Sequence, residues 1–238
     1  MSGREKKIKV KILKDGPYIV SGNIHFAEKI IIPKGRGYEF KDGREFPRSE
    51  EFALCRCGKS RNKPYCDGAH GKSDFDGTET ASKTGYEERA ELIKGPGLDL
   101  LDDNRCALAR FCHREKGNVW ELVRNSDNPA AKEEAIAAAN ECPAGRLVAV
   151  NKEGKQIEPK YEPSVDILQD PEEGVSGGIF VKGNIPIEFS DGHINEQRNR
   201  VVLCRCGESK NKPFCDATHV SIKFSDQKLK SGIKEEAQ

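Results

Sequence analysis

CRCGKSRNKPYCDGAH occupies residues 55–70, and CRCGESKNKPFCDATH occupies residues 204–219. Each stretch sets out Cys-x-Cys-x8-Cys-x3-His: Cys55, Cys57, Cys66 and His70 in the first copy, Cys204, Cys206, Cys215 and His219 in the second. Soft thiolate and borderline imidazole donors this close in sequence form a metal site, and they suit zinc or an iron–sulfur cluster. An extended Cys-x-Cys puts both sulfurs on one strand face, where they can hold one iron of a [2Fe–2S] unit while the later Cys and His hold the other. Structural zinc knuckles usually separate their first two cysteines by two or more residues, so the spacing favours the cluster and leaves zinc as the alternative.

The residues between the ligands read as supports. Pro64 and Pro213 stiffen the loop, and Asp67 or Asp216 is placed to cap a short helix whose first turn carries the histidine. Gly58 and Gly207 either let backbone N–H groups approach sulfur or are ordinary turn glycines.

Upstream, the repeat extends beyond the motif. YIVSGNI at residues 18–24 returns as IFVKGNI at 179–185, each with a Gly-Asn turn or bulge at Gly22-Asn23 or Gly183-Asn184. Each unit then runs through a last strand, FALCRC or VVLCRC, into its cysteines. Ahead of the first copy, KKIKVKIL alternates so that Ile8, Val10 and Ile12 face a core and Lys7, Lys9 and Lys11 face water. The lysines are the wet face of a strand rather than a nucleic-acid tract. Both units are thus expected to be small β-folds.

Between them, NPAAKEEAIAAANECPAG predicts a helix from Pro129 to about Asn140, capped by Asn128, with RLVAV following as a strand. Gly95-Pro96-Gly97 and Glu153-Gly154 mark the edges of this middle module, and Tyr161 to Gly178 reads as a linker. The expected division is 1–92, 98–152 and 160–238, the last including the linker. The expected class is α+β, mainly β.

The 238 residues are 33% charged and 35% hydrophobic, a range in which small modules usually need a metal or a cross-link. Forty basic against thirty-nine acidic residues leave a net charge of +1, which gives no global field for nucleic acid or an anionic membrane. No apolar run has the length of a signal peptide or membrane helix, so a soluble, cytoplasmic protein is expected. The nine cysteines are odd in number and include two Cys-x-Cys pairs, which favours metal over disulfides.

The pattern Cys-x-Cys-x2-Ser-x3-Pro-x-Cys-Asp-Gly-Ala-His, on Cys55, Cys57, Ser60, Pro64, Cys66, Asp67, Gly68 and His70, resembles the CDGSH iron–sulfur (NEET) family. The resemblance implies two [2Fe–2S] clusters, each held by three Cys and one His. The first two cysteines would hold the buried iron; the outer iron would sit on Cys66 and His70, or on Cys215 and His219. The second copy departs from the family pattern at Ala217 and Thr218, which puts its local turn in question. Single-motif relatives pair as intertwined homodimers, so the resemblance also implies an internal pseudo-dimer; a tandem of independent units is the alternative.

Cys106, Cys112 and Cys142 lie outside both motifs. CALARFC followed by a distant Cys-Pro has the frame of a bacterial ferredoxin site with Ala109 in place of the middle ligand. The segment resembles divergent single-cluster ferredoxin domains, which implies a third cluster, [3Fe–4S] or [4Fe–4S], with His113 available as a non-Cys ligand. Three buried structural cysteines are the other reading. His25 and His193 read as surface residues, and Trp120 as part of the middle core.

No nucleophile–base pair, phosphate-cradling loop or dinucleotide fingerprint is present, so a carrier rather than an enzyme is expected. The expected function is electron transfer or cluster transfer with an unidentified protein partner. A structural zinc module and an acid or redox sensor are the alternatives. A monomer with internal twofold symmetry is expected, without nucleic-acid or membrane partners.

Overall fold

The computed structural model describes residues 7–226. The first copy contributes β1 (Lys9–Ile12), β2 (Tyr18–Ser21), β3 (His25–Lys34), β4 (Gly37–Glu45) and β5 (Glu51–Leu54). The middle of the chain forms α1 (Tyr86–Arg89), β6 (Glu91–Ile93), β7 (Asp99–Asp102), β8 (His113–Arg114), β9 (Gly117–Asn118), α2 (Val119–Arg124), α3 (Pro129–Asn140), β10 (Leu147–Val150) and β11 (Gln156–Ile157). The second copy supplies β12 (Ser164–Asp170), β13 (Val175–Lys182), β14 (Ile187–Glu188), β15 (Arg200–Leu203) and α4 (Thr218–Ser221). Strand dominates, as the sequence predicts for a mainly β chain.

The alternation in β1 is realised for Val10 and Ile12, which are buried, whereas Ile8 lies before the strand and is 37% exposed. Lys9 and Lys11 do more than face water. Their ammonium groups lie 2.8 and 2.7 Å from the two carboxylate oxygens of Glu188 on β14. The repeated Gly-Asn steps hold left-handed backbone in both copies, φ 106° and 46° at Gly22 and Asn23, 77° and 57° at Gly183 and Asn184.

Within each copy the pairing is the same: β1–β2–β5 and β12–β13–β15 are antiparallel. The remaining strands cross over. β14 pairs in parallel with β1, placing Ile187 opposite Val10, and β3 pairs in parallel with β12, placing Phe26 opposite Val165. The sheets are therefore β14-β1-β2-β5 and β15-β13-β12-β3-β4, each containing strands of both copies. Their apolar faces bury one continuous core, in which Val10, Ile12, Tyr18, Val20 and Phe26 pack with Val165, Ile167, Val181, Ile187 and Phe214. Packing of this kind uses the apolar area of both copies where neither has enough for a core alone.

The linker reading of residues 161–178 is corrected by this sheet. β12 is an interior strand with every residue buried, and β13 begins at Val175. Its polar residues disguise it, and each is engaged. Lys182 Nζ lies 2.6 Å from Asp166 Oδ2, Gln169 Nε2 donates to Asp226 Oδ2 at 3.0 Å, and Arg110 makes a bidentate contact with Asp170 at 2.6 and 3.0 Å.

In the middle module, Asn128 Oδ1 accepts from the Ala130 and Ala131 N–H groups and Pro129 opens α3, as the sequence predicts. Ala135, Ala138 and Ala139 give α3 a flat buried face against Leu100, Leu147 and Ala149. Trp120 packs against this core and donates from Nε1 to Asp102 Oδ2 at 3.1 Å. The sheet β11-β10-β7-β6 reaches past the expected 98–152 span on both sides, because short edge strands complete it. Among the described residues no helix is long and apolar enough to cross a membrane.

Candidate metal centres

β5 and β15 each end at the residue before the first cysteine of their motif. Cys55 Sγ and Cys57 Sγ are 3.8 Å apart, and Cys204 Sγ and Cys206 Sγ are 3.5 Å apart. Two sulfurs on one tetrahedral metal at a bond length of about 2.3 Å would lie roughly 3.8 Å apart, so each pair has the span of a single metal's ligands. The second half of each motif forms another pair. Cys66 Sγ lies 3.4 Å from His70 Nδ1, and Cys215 Sγ lies 3.4 Å from His219 Nδ1. The imidazole nitrogen turned toward sulfur is Nδ1 in both. Among the described residues no three His, Cys, Asp or Glu side chains converge as ligands of one ion. The donors stand two by two.

Backbone amides favour thiolate. Lys59 N–H points to Cys57 Sγ and Gly68 N–H to Cys66 Sγ, each at 3.4 Å. Within each Cys-x-Cys pair the sulfur–sulfur hydrogen bond lowers the pKa of Cys55 and of Cys204, while the partners Cys57 and Cys206 are raised by the same contact and by burial. Each pair thus gives up its first proton readily and holds its second until a cation compensates.

The turn that aims the histidine differs in detail from the expected cap. Gly68 and Ala217 occupy the cap position, both left-handed, with φ 82° and 68°. Asp67 and Asp216 lie one residue earlier and bridge the loop: Asp67 accepts from Arg61 N–H at 2.8 Å and Ala69 N–H at 3.0 Å, and Asp216 from Lys210 N–H at 2.7 Å and Thr218 N–H at 3.0 Å. Ala217 therefore keeps the turn of the first copy in spite of its Cβ.

Sequence reasoning missed the residue between the paired cysteines. Arg56 and Arg205 are 1% and 2% exposed. Arg56 donates to the Gly77 carbonyl at 2.6 Å, and Arg205 donates to the Gly177 carbonyl at 2.7 Å and lies 3.4 Å from Asp226. The repetition of Cys-Arg-Cys in both copies was the available signal. The Arg205 guanidinium lies within electrostatic reach of His219 and of Cys55 in the other motif, while Arg56 lies over the Tyr18 and Phe75 rings and fastens its loop to Gly77.

The glycines after the second cysteines also have a structural reason. A Cβ on Gly58 would collide with the Cys206 carbonyl oxygen, and a Cβ on Gly207 would lie 2.6 Å from that of Cys57. The two motif loops meet backbone to backbone.

Cys106, Cys112 and Cys142 come within electrostatic reach of one another, and burial first, then Cys142 and Cys106, raise the Cys112 thiol to about 11. Their loop holds Leu108 and Arg110 in left-handed conformations, φ 55° and 65°. Ala109 packs with Ile31 and Phe111, while His113 is exposed on β8. His25 is half-buried on β3 and His193 is exposed.

Comparison with known proteins agrees with this layout. Residues 15–71 and 176–220 match the family described as iron-binding zinc finger CDGSH type, and residues 93–152 match the divergent 4Fe-4S mono-cluster family. The matches place the chain in the class of iron–sulfur proteins. More particularly, it carries two CDGSH regions with a divergent 4Fe-4S region between them. No curated protein and no solved structure matches the chain.

Proposed function

We propose that the chain is a redox or cluster-transfer protein with a [2Fe–2S] unit on Cys55, Cys57, Cys66 and His70 and another on Cys204, Cys206, Cys215 and His219. The observation that carries this reading is the pairwise presentation of donors, two per metal, where a single zinc ion would gather all four. A bound [2Fe–2S] unit supplies a one-electron couple. The buried Cys-x-Cys pair would hold one metal and the later Cys with the histidine Nδ1 the other, and the amides of Lys59 and Gly68 would moderate the charge on sulfur in the first copy.

The strand exchange supports an internal pseudo-dimer, so the working species is a monomer whose partner is a protein that exchanges electrons or cluster units. A third centre, [3Fe–4S] or [4Fe–4S], belongs on Cys106, Cys112 and Cys142. The left-handed Leu108 and Arg110 favour it: each costs about 1–2 kcal/mol, and such strain concentrates at functional loops.

Iron, zinc and acid-labile sulfide analysis after anaerobic purification, together with the visible spectrum, tests the assignment. Iron and sulfide in near-equal amounts and a coloured protein are expected. Stoichiometric zinc without sulfide would overturn it. Cys142→Ala is expected to remove about three to four irons and leave the two-iron sites intact; unchanged iron would leave the three cysteines as core residues.

A further inference from the structure

The two motifs differ most in the residues that ring their outer ligands. Next to Cys66 and His70 in the chain, an open concave surface is lined by Lys59, Arg61, Gly68, Ala69, Lys72 and Ser73, with Asp67 its one acid. Lys59, Arg61 and Lys72 are all exposed, and no ion pair engages them among the described residues. The Asp67 carboxylate is occupied by two backbone N–H groups. At the corresponding positions of the second copy stand Glu208, Lys210 and Ser221, with Asp216 matching Asp67. One rim is basic and the other carries two acids to one base.

Access differs in the same sense. Cys66 and His70 are half-buried, whereas Cys215 and His219 are buried at 5% and 4% exposed. The middle module covers the second site: Ala107 and Ala144 pack with Cys215, and the Arg105 guanidinium lies 4.4 Å from the centre of the Phe214 ring.

We propose that the basic surface of Lys59, Arg61 and Lys72 beside Cys66 and His70 is the docking face for an acidic protein partner. This rests on the reading of both motifs as redox or cluster-transfer centres. A ring of unpaired cations steers an acidic partner and sets its orientation, which brings it over the accessible ligands. A protein fits better than nucleic acid, because nucleic-acid affinity grows with the number of phosphates neutralised and this surface offers only three cations.

The full-length protein, the triple variant Lys59→Glu/Arg61→Glu/Lys72→Glu and a control, Arg124→Glu/Lys155→Glu/Lys160→Glu, would be titrated with an acidic flavodoxin, a basic cytochrome c and a short DNA duplex. The control makes the same charge change at exposed positions of the middle region. Salt-sensitive binding of the flavodoxin is expected, weakened tenfold or more by the rim variant and less than threefold by the control. No flavodoxin binding at low salt, preference for cytochrome c or DNA, or equal loss in both variants would overturn the proposal. Iron and sulfide content and circular dichroism of each variant separate loss of docking from loss of the centre or the fold. A rim-dependent interaction in a protein without sulfide would sink the cluster reading and leave the docking face standing.

Discussion

Gly58 and Cys206 lie so close that the first can carry no side chain: a Cβ there would meet the carbonyl oxygen of the second. The reciprocal contact of Gly207 with Cys57 makes this a property of the pair of loops. Gly68 is the contrast, left-handed at φ 82° but with open space where its Cβ would be. Gly58→Ala is expected to cost about 3 kcal/mol from left-handed strain and overpacking together, and Gly68→Ala about 1 kcal/mol from strain alone. Denaturant midpoints of the two variants decide it; equal losses would mean the loops can separate freely.

Ala217 supplies the converse case, since it holds at φ 68° the turn that Gly68 makes in the first copy. Ala217→Gly should relieve that strain, less the extra freedom of Gly in the unfolded chain, for a net gain of about 0.5 kcal/mol. A loss of stability would show that the Cβ is held by contacts worth more than the strain.

Burial, then the nearby Arg205, lowers the pKa of His219 to about 4. An imidazole must be neutral to bind metal, so His219 stays available as pH falls until about that value. Because His70 is half-buried where His219 is 4% exposed, acid should reach the first site first, and the visible absorbance is expected to bleach in two steps, the second site's later. His219→Cys should slow the later step and His70→Cys the earlier. A single step unaffected by either change would refute the asymmetry. In metal-free protein the sign is opposite to a stabilising shift. Between about pH 6.5 and 4 the unfolded chain binds a proton at this residue that the folded chain refuses, so folding stability falls through that window and flattens below it. His219→Asn should remove that slope in denaturant titrations.

Arg200, 1% exposed on β15, donates to the carbonyls of Cys142 at 2.8 Å, Ala139 at 2.9 Å and Leu147 at 3.0 Å, and pairs with Glu158. One side chain thus joins the strand that leads to Cys204 with the end of α3 and the start of β10. Arg200→Met leaves those acceptors without their donor and is expected to cost about 3–5 kcal/mol. Scanning calorimetry should then show the middle module melting ahead of the sandwich. A single transition with unchanged midpoint would mean the module is held by its apolar contacts.

Much of this protein was legible in local sequence because its chemistry is local. Cysteine and histidine spacing within each motif marked the side chains that the fold brings together in pairs, and Asn128-Pro129 with an alanine-rich run marked the start of α3 and its approximate end. The Gly-Asn repeats announced a turn or bulge in each copy. These features depend on backbone geometry over a few residues, which composition and spacing encode directly. What the tertiary structure alone decided depends on partners distant in the chain. β12 looks like a linker until Lys182, Asp226 and Arg110 are brought to its buried polar groups. The parallel pairing of β1 with β14 and β3 with β12 joins segments more than a hundred residues apart, and no local pattern specifies which strand crosses to which sheet. Nearly identical motifs likewise gave no sign that His219 would be enclosed and His70 left accessible, since burial is set by what the rest of the chain packs against each copy, here Ala107 and Ala144 against Cys215 beside His219 alone.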